Sequence, residues 1–180
     1  MSGRKWNALR LSVGDRSALR RCAGRMMGDD MRAVEAYYRA AAPIGKQKEE
    51  IYFASLCMEC LWRVEDSPRR RPMEEILRDY YQGDETESMK RRMTSFLDTP
   101  WSRDGFLLGK ICGIVRMLRA KDASVMPDFD KLADDLVHWN DQDRWVQKRW
   151  VRTICRSIET WNQPDQAVNE EMKKNEEEEE

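Results

Sequence analysis

The chain has 180 residues, of which 41% are hydrophobic and 36% are charged, so it can bury a core and is too apolar to be disordered throughout. Its formal net charge is −1, but residues 170–180 hold seven Glu and two Lys, which leaves the preceding 169 residues at +4. The odd cysteine number (five) with no regular spacing, and the lack of a signal peptide or transmembrane-length apolar run, predict a cytoplasmic protein with reduced thiols.

Helical periodicity runs through the chain, without an alternating strand pattern or a hairpin signal. We expect a short helix near residues 5–11, followed by helices at about 15–27, 30–42, 47–64, 73–82, 86–98, 103–121, 129–139 and 142–161. Asp15 is the expected N-cap of the first long helix. The Arg69–Pro72 segment is basic and expected to be exposed.

The break from Gly83 to Thr86 is the best candidate for a boundary between two lobes. The predicted fold class is therefore all-α, a two-lobed helical bundle of about eight or nine helices. An N-terminal lobe would span residues 1–84 and a C-terminal lobe residues 85–162. Residues 163–180 have the composition of a disordered acidic tail.

The helix predicted at 103–121 has two distinct faces. Its apolar residues share one direction, whereas Gly109, Gly113 and Arg116 lie on the opposite side. Because each glycine inside a helix costs about 1 kcal/mol relative to alanine, the pair indicates a close approach to this backbone. The approaching group could be nucleic acid, another helix of this protein or a partner subunit.

The last predicted helix also has two faces. Val146, Trp150, Ile154 and Trp161 form the buried stripe, and the opposite face carries Trp145, Lys148, Arg149, Arg152 and Arg156. Charges and an exposed ring suit single-stranded nucleic acid, because the charges meet phosphates and the ring stacks on a base. The alternative is a solvated face with Trp145 at a subunit interface.

Signals for catalysis and metal binding are weak. His138 is the only histidine and has no matched nucleophile or carboxylate set. Cys57 and Cys60 have CxxC spacing but no second close pair, and Asp134 and Asp135 diverge on a helix. We expect no catalytic residue, no metal ligand and no cofactor.

Several spaced patterns together resemble a known family. They include Gly14-Asp15-Arg16, Ala18-Leu19-Arg20-Arg21, Ala36-Tyr37-Tyr38 with Pro43, Lys90-Arg91-Arg92-Met93, Phe96-Leu97 and Ile114-Val115-Arg116-Met117-Leu118, and the closing residues Phe129, Leu132, Asp135-Leu136, Trp139, Val146-Gln147, Arg149-Trp150 and Arg152. Over residues 6–158 the chain resembles the CasB family, the small subunit of the type I-E CRISPR surveillance complex Cascade. The segment Asp98–Arg103 is less basic than in the family, and the resemblance supplies no role for the acidic tail.

The resemblance implies a non-enzymatic subunit in RNA-guided antiviral defence. Its implied partners are the backbone subunit CasC, the large subunit CasA and other Cascade subunits, a second copy of itself placed head to tail, CRISPR RNA and target DNA, with no membrane. Basic residues would hold the displaced DNA strand and stabilise the R-loop. Arg21, Arg92 and Arg116 match the family's basic positions best, and weaker matches are Arg20, Arg91, Lys110, Arg119, Arg149 and Arg152.

A second hypothesis comes from another functional class. The basic and Trp-bearing faces could contact only protein, in which case the chain is a helical scaffold or adaptor without direct nucleic-acid contact.

Overall fold

The structure is a computed structural model that describes Trp6 and residues 10–41, 45–62, 68–81, 87–102 and 104–155. These residues form eight helices and two short strands, and the fold is all-α apart from this small sheet. In chain order the elements are α1 (Val13–Arg21), α2 (Met31–Ala40), α3 (Lys46–Glu59), β1 (Arg69–Arg71), α4 (Met73–Tyr81), α5 (Glu87–Leu97), α6 (Phe106–Lys121), β2 (Val125–Pro127), α7 (Phe129–Val137) and α8 (Trp145–Cys155). The predicted acidic tail, Arg156 and Trp161 lie outside the described residues.

The helix ends follow local capping, which moves several of them from their predicted positions. Ser12, rather than Asp15, is the N-cap of α1: its hydroxyl accepts from the Asp15 amide at 3.1 Å, and the Asp15 carboxylate accepts from the Ser12 amide at 3.2 Å. At the start of α6, Gly105 has a φ of 72° and delays the first helical residue to Phe106. Of the predicted N-terminal helix, Trp6 instead forms an isolated bridge with Ala41, and most other residues lie outside the described ones.

A parallel two-stranded sheet corrects the expectation of a chain without strands. Arg69 pairs with Val125, Arg70 with Met126 and Arg71 with Pro127. The strands lead directly into α4 and α7, so the sheet sets the starts of these two helices side by side. Three residues paired across more than fifty positions carry no alternating pattern, which is why the sequence did not indicate them.

The sheet also corrects the expectation that Arg69–Pro72 is an exposed basic segment. Arg70 donates to Glu59, which is 8% exposed and also accepts from the Trp6 indole at 2.6 Å. Arg71 donates to Asp79 at 2.7 Å. Arg70 therefore neutralises a buried carboxylate, and Arg71 pairs with an exposed one.

One hydrophobic core runs through the described residues on both sides of the predicted lobe boundary. Helix α3 packs against α1 and α7, and α4 packs against α8. The largest fully buried side chains are Trp139 and Trp150. Their ring centroids are 5.5 Å apart, and both rings contact Phe96. The division at residues 84 and 85 stays a prediction. The sheet and the contacts of α3 with α7 and of α4 with α8 join residues from its two sides. No described helix has the length and apolar character needed to cross a membrane.

Gly24 joins the end of α1 to α6, and its replacement should destabilise the fold. Its φ is +88°, and an added Cβ would lie 3.1 Å from both Cβ and Sγ of Cys112. We expect Gly24→Ala to cost about 2–4 kcal/mol in the free energy of unfolding, from backbone strain and overpacking together. Gly28→Ala is the control, because Gly28 has a φ of +110° but nothing within 4 Å. Chemical denaturation of both variants measures the difference, and equal losses would mean that contact with α6 does not matter.

Candidate nucleic-acid interface

The first basic group of the candidate interface lies at the carboxyl end of α1. Arg20 and Arg21 are both exposed, and the Arg21 side chain is 57% accessible. Arg21 donates to the Ser17 hydroxyl at 3.2 Å and lies 3.8 Å from an Asp30 oxygen. Such an exposed, loose ion pair contributes little to stability, so an anion can replace Asp30 at low cost.

Arg116 connects α6 to the same end of α1. It is exposed, and its Nη2 donates to the Ala23 carbonyl oxygen at 3.1 Å, two residues beyond Arg21. The close approach of Gly24 to Cys112 brings the two segments together. Arg21 and Arg116, 95 positions apart in sequence, therefore flank one junction.

The second basic group lines a groove between α5 and α6. This α5–α6 groove has a volume of about 700 Å³ and includes Arg91, Arg92, Lys110 and Gly113 in its lining. Arg91 and Arg92 are exposed. Lys110 is instead tied to α5, because its Nζ donates to the Thr99 hydroxyl at 2.8 Å and the Ser95 hydroxyl at 3.0 Å. Lys110 fixes the spacing of the two helices more than it offers a charge.

The glycine face of α6 is open in the described part of the chain. A Cβ added at Gly109 or Gly113 would meet nothing within 4 Å. Among the described residues no other helix touches these two positions, which leaves room for nucleic acid or a partner subunit. Because Gly113 precedes Arg116 by three residues, both lie on neighbouring turns of one helix face.

Arg119 and Arg149 differ from the exposed arginines. Arg119 is half-buried, and its Nε is buried with no partner among the described residues. Arg149 donates to Asp135 and lies 3.6 Å from Glu74, and both carboxylates are buried. The predicted DNA-facing role of Arg149 therefore competes with a structural ion pair. Removing this arginine would leave the buried Asp135 without its charged partner, whereas Glu74 would keep Lys131.

The outer face of α8 is mixed. Arg152 is exposed beside a smaller groove of about 430 Å³, which Lys148 and Asp98 also line. Trp145 is 38% exposed, donates to Asp141 at 3.0 Å and carries the Arg149 guanidinium 5.3 Å from its ring centre. Trp145, the residue predicted to stack on a base, therefore already contacts the His138 ring and the Arg149 guanidinium.

Tyr81 is a groove residue that sequence reasoning missed. It ends α4, lines the α5–α6 groove and is half-buried. Burial raises the pKa of Tyr81, and the charge of Arg92 partly opposes that rise. The only signal in the sequence was the Tyr80-Tyr81 pair before the Gly83 break, which gives no indication that Arg92 lies nearby.

The two close pairs noted in the sequence, Cys57 with Cys60 and Asp134 with Asp135, differ in their surroundings. Cys57 and Cys60 are buried, and burial raises the pKa of both, to about 12 for Cys60, so the thiols stay protonated and unreactive at neutral pH. No three described His, Cys, Asp or Glu residues come together as a metal-binding group. Asp135 is buried and Asp134 exposed, so the two carboxylates do not act as a pair.

Comparison with known proteins gives one family and several similar folds. Residues 15–153 match the family described as CRISPR-associated protein Cse2. A chain of a solved CRISPR RNA-guided surveillance complex has a TM-score of 0.65 at 22% identity, over 83% of this chain and 86% of that chain. CasB of M. ruber has a TM-score of 0.63 at 17% identity, over 86% and 93% of the two chains.

CasB of Thermus thermophilus has a TM-score of 0.58 at 21% identity, over 78% of this chain and 84% of that chain. No curated protein sequence matches the chain. At these identities the structural matches show that the fold is shared.

Proposed function

The chain belongs to the Cse2 family of CRISPR-associated proteins, and from its place as the non-catalytic small subunit of Cascade we propose that it binds the displaced strand of target DNA. In this proposal the subunit stabilises the R-loop by contacts to the strand's phosphates. It performs no chemistry on the DNA, and sequence recognition is left to the guide RNA.

The observation that carries this proposal is the junction between α6 and the end of α1. The hydrogen bond from Arg116 to Ala23 ties Arg116 to the segment that follows Arg21. Gly113, one turn before Arg116, lines the groove that also includes Arg92. We propose that these connections place the three arginines along one path across α1, α5 and α6. Such a path supports contact with a flexible polyanion, which needs successive cations rather than a single deep site.

The energetics favour a small number of such contacts. R-loop formation exchanges one duplex for another of similar stability, so modest protein–backbone contacts tip the balance. Each phosphate neutralised by an arginine releases counterions and makes binding weaker as salt rises. A chain whose first 169 residues carry only +4 suits binding within an assembly, where neighbouring subunits hold the strand close.

The predicted residues divide by their surroundings. Arg21, Arg92 and Arg116 are the proposed main contacts, with the exposed Arg20, Arg91 and Arg152 as secondary ones. Lys110, Arg119 and Arg149 are partly buried, and the contacts of Lys110 and Arg149 favour a supporting role in which they hold helices in position.

Partners follow from the family. The subunit works with other Cascade subunits and CRISPR RNA. We propose CasC and CasA as its protein neighbours, a second copy placed head to tail, and the displaced strand as its main DNA contact. Two lobes at residues 1–84 and 85–162 remain part of this proposal.

Removing the three charges together tests the proposal. In assembled Cascade carrying Arg21→Gln, Arg92→Gln and Arg116→Gln, target capture should weaken. The plot of log affinity against log salt has a negative slope, and this slope should become shallower by about 2. Glutamine keeps much of each side-chain stem, so packing changes little. Affinity for target duplex measured between low and physiological salt gives the slope.

A charge-matched control uses three arginines that already face carboxylates: Arg39→Gln, Arg71→Gln and Arg78→Gln. It removes the same net charge and should leave the slope close to that of the wild type. If both triples flatten the slope equally, the effect is general electrostatics. An unchanged slope in the first triple would favour the scaffold hypothesis.

A further inference from the structure

We propose that the α5–α6 groove takes one unpaired base of the displaced strand, while the adjacent arginines hold the flanking phosphates. This inference rests on the proposed function and adds a base contact to it. Phosphate contacts alone need only a charged surface, whereas this groove has a shaped, apolar interior.

The floor and the rim of the groove differ in chemistry. Met93 and Phe96 are buried and form part of its floor together with the partly buried Ile114 and Met117. A volume of about 700 Å³ falls within the range of about 300–1,000 Å³ typical of small-ligand sites. The floor is therefore wide enough, and apolar enough, for a flat ring removed from water.

Gly113 keeps the groove open from the α6 side. It lines the groove, and a Cβ at this position would meet nothing within 4 Å. A glycine at mid-helix costs helix stability, and here it removes side-chain volume from the wall of the groove. The helix stability lost at Gly113 is explained if a planar base lies against this part of the α6 backbone.

The charges around the groove favour a nucleotide over an apolar peptide. Arg91 and Arg92 are exposed in its lining, and none of its described lining residues is acidic. Tyr81 adds a ring and a hydroxyl that can donate to the polar edge of a base, because a phenol is protonated at neutral pH. The smaller groove beside α8 includes Asp98, whose carboxylate would oppose a phosphate.

The groove also continues the proposed phosphate path. Arg116 lies three residues beyond Gly113 on the same helix and reaches the end of α1. A strand held by Arg92 and Arg116 therefore passes the mouth of the groove. A base that turns inward there gains stacking and burial without leaving the arginines.

Filling the groove without changing charge tests this inference. Gly113→Leu adds a side chain inside the groove and improves helix propensity, so the fold is retained. Gly109→Leu is the matched control, because Gly109 is on the same helix with open space around it but does not line the groove. The probe is assembled Cascade on targets whose displaced strand is mismatched to the target strand, so that it cannot re-pair in either case, and carries either thymidines or abasic residues.

With wild-type subunit, the abasic strand should shorten the R-loop lifetime by about fivefold or more, because base stacking on protein rings is lost. Gly113→Leu should shorten it similarly on the thymidine strand and no longer distinguish the two strands. Gly109→Leu should behave like the wild type. The salt slope should stay unchanged in both variants, because the phosphate contacts remain.

The inference is overturned if Gly113→Leu distinguishes the two strands as well as the wild type does. It is also overturned if this variant fails to assemble into Cascade, or if it shortens the lifetime on both strands by the same factor. Either result would indicate that a protein side chain occupies the groove. Failure of the proposed function is separate, because it appears as an unchanged salt slope in the Arg21, Arg92 and Arg116 triple.

Discussion

Replacing Trp150 with alanine should lower the free energy of unfolding of this subunit by about 3–5 kcal/mol. The side chain is fully buried, with its ring 5.8 Å from that of Phe96 and 5.5 Å from that of Trp139. Its indole also donates to Asp135 at 2.8 Å. Truncation would leave a cavity where α5, α7 and α8 meet, and it would remove a hydrogen bond from a buried carboxylate.

Trp145→Ala is the matched control, because it removes the same side chain from the same helix at a position that is 38% exposed. It should cost about 1 kcal/mol or less. Urea denaturation of the isolated subunit, followed by circular dichroism, measures both values. Similar losses for Trp145 and Trp150 would contradict the assignment of Trp150 to the core.

Replacing Asp135 with alanine should cost about 3 kcal/mol, although its neighbour is an exposed carboxylate of the same type. The Asp135 carboxylate is buried and accepts hydrogen bonds from Arg149 and Trp150. Without it the Trp150 indole is a buried donor with no acceptor. Arg149 would keep only the Glu74 carboxylate as an ion-pair partner, at 3.6 Å. Because the Arg149 side chain is 32% exposed, hydration would replace part of the lost interaction with Asp135.

Two further variants separate charge from hydrogen bonding at this site. Asp135→Asn keeps an acceptor oxygen for the indole and should lose about half as much stability as Asp135→Ala. Asp134→Ala changes an exposed residue and should cost less than about 1 kcal/mol. Denaturant midpoints of the three variants rank the effects, and a loss at position 134 equal to that at 135 would rule out the buried network.

The positions of the helices were predictable because helix formation is local. Apolar spacing of 3–4 residues identified the buried faces of α6 and α8, and Val146 and Trp150 are indeed buried. The helix ends were less accurate, because short side-chain contacts set them. Ser12 starts α1 earlier than predicted, and Arg144, with a φ of 51°, precedes the later start of α8.

The arginines show the limit of sequence analysis most clearly. A helical projection places Arg149 on the outward face of α8, because the projection contains only its own helix. In the fold, Glu74 of α4 and Asp135 of α7 reach that arginine and hold it in an ion-pair network. Which arginines remain exposed depends on carboxylates that are distant in sequence.

The sequence by itself determined the helical class, the core faces of the last helices and the family, since these depend on periodicity and on residues spaced along one chain. Only the tertiary structure decided that Arg70 and Arg149 pair with buried carboxylates, Glu59 and Asp135. It also decided that Arg116 reaches the end of α1 and that β1 pairs with β2. The physical reason is that burial and ion pairing depend on which distant segments meet, and local patterns of apolar and charged residues leave that choice open.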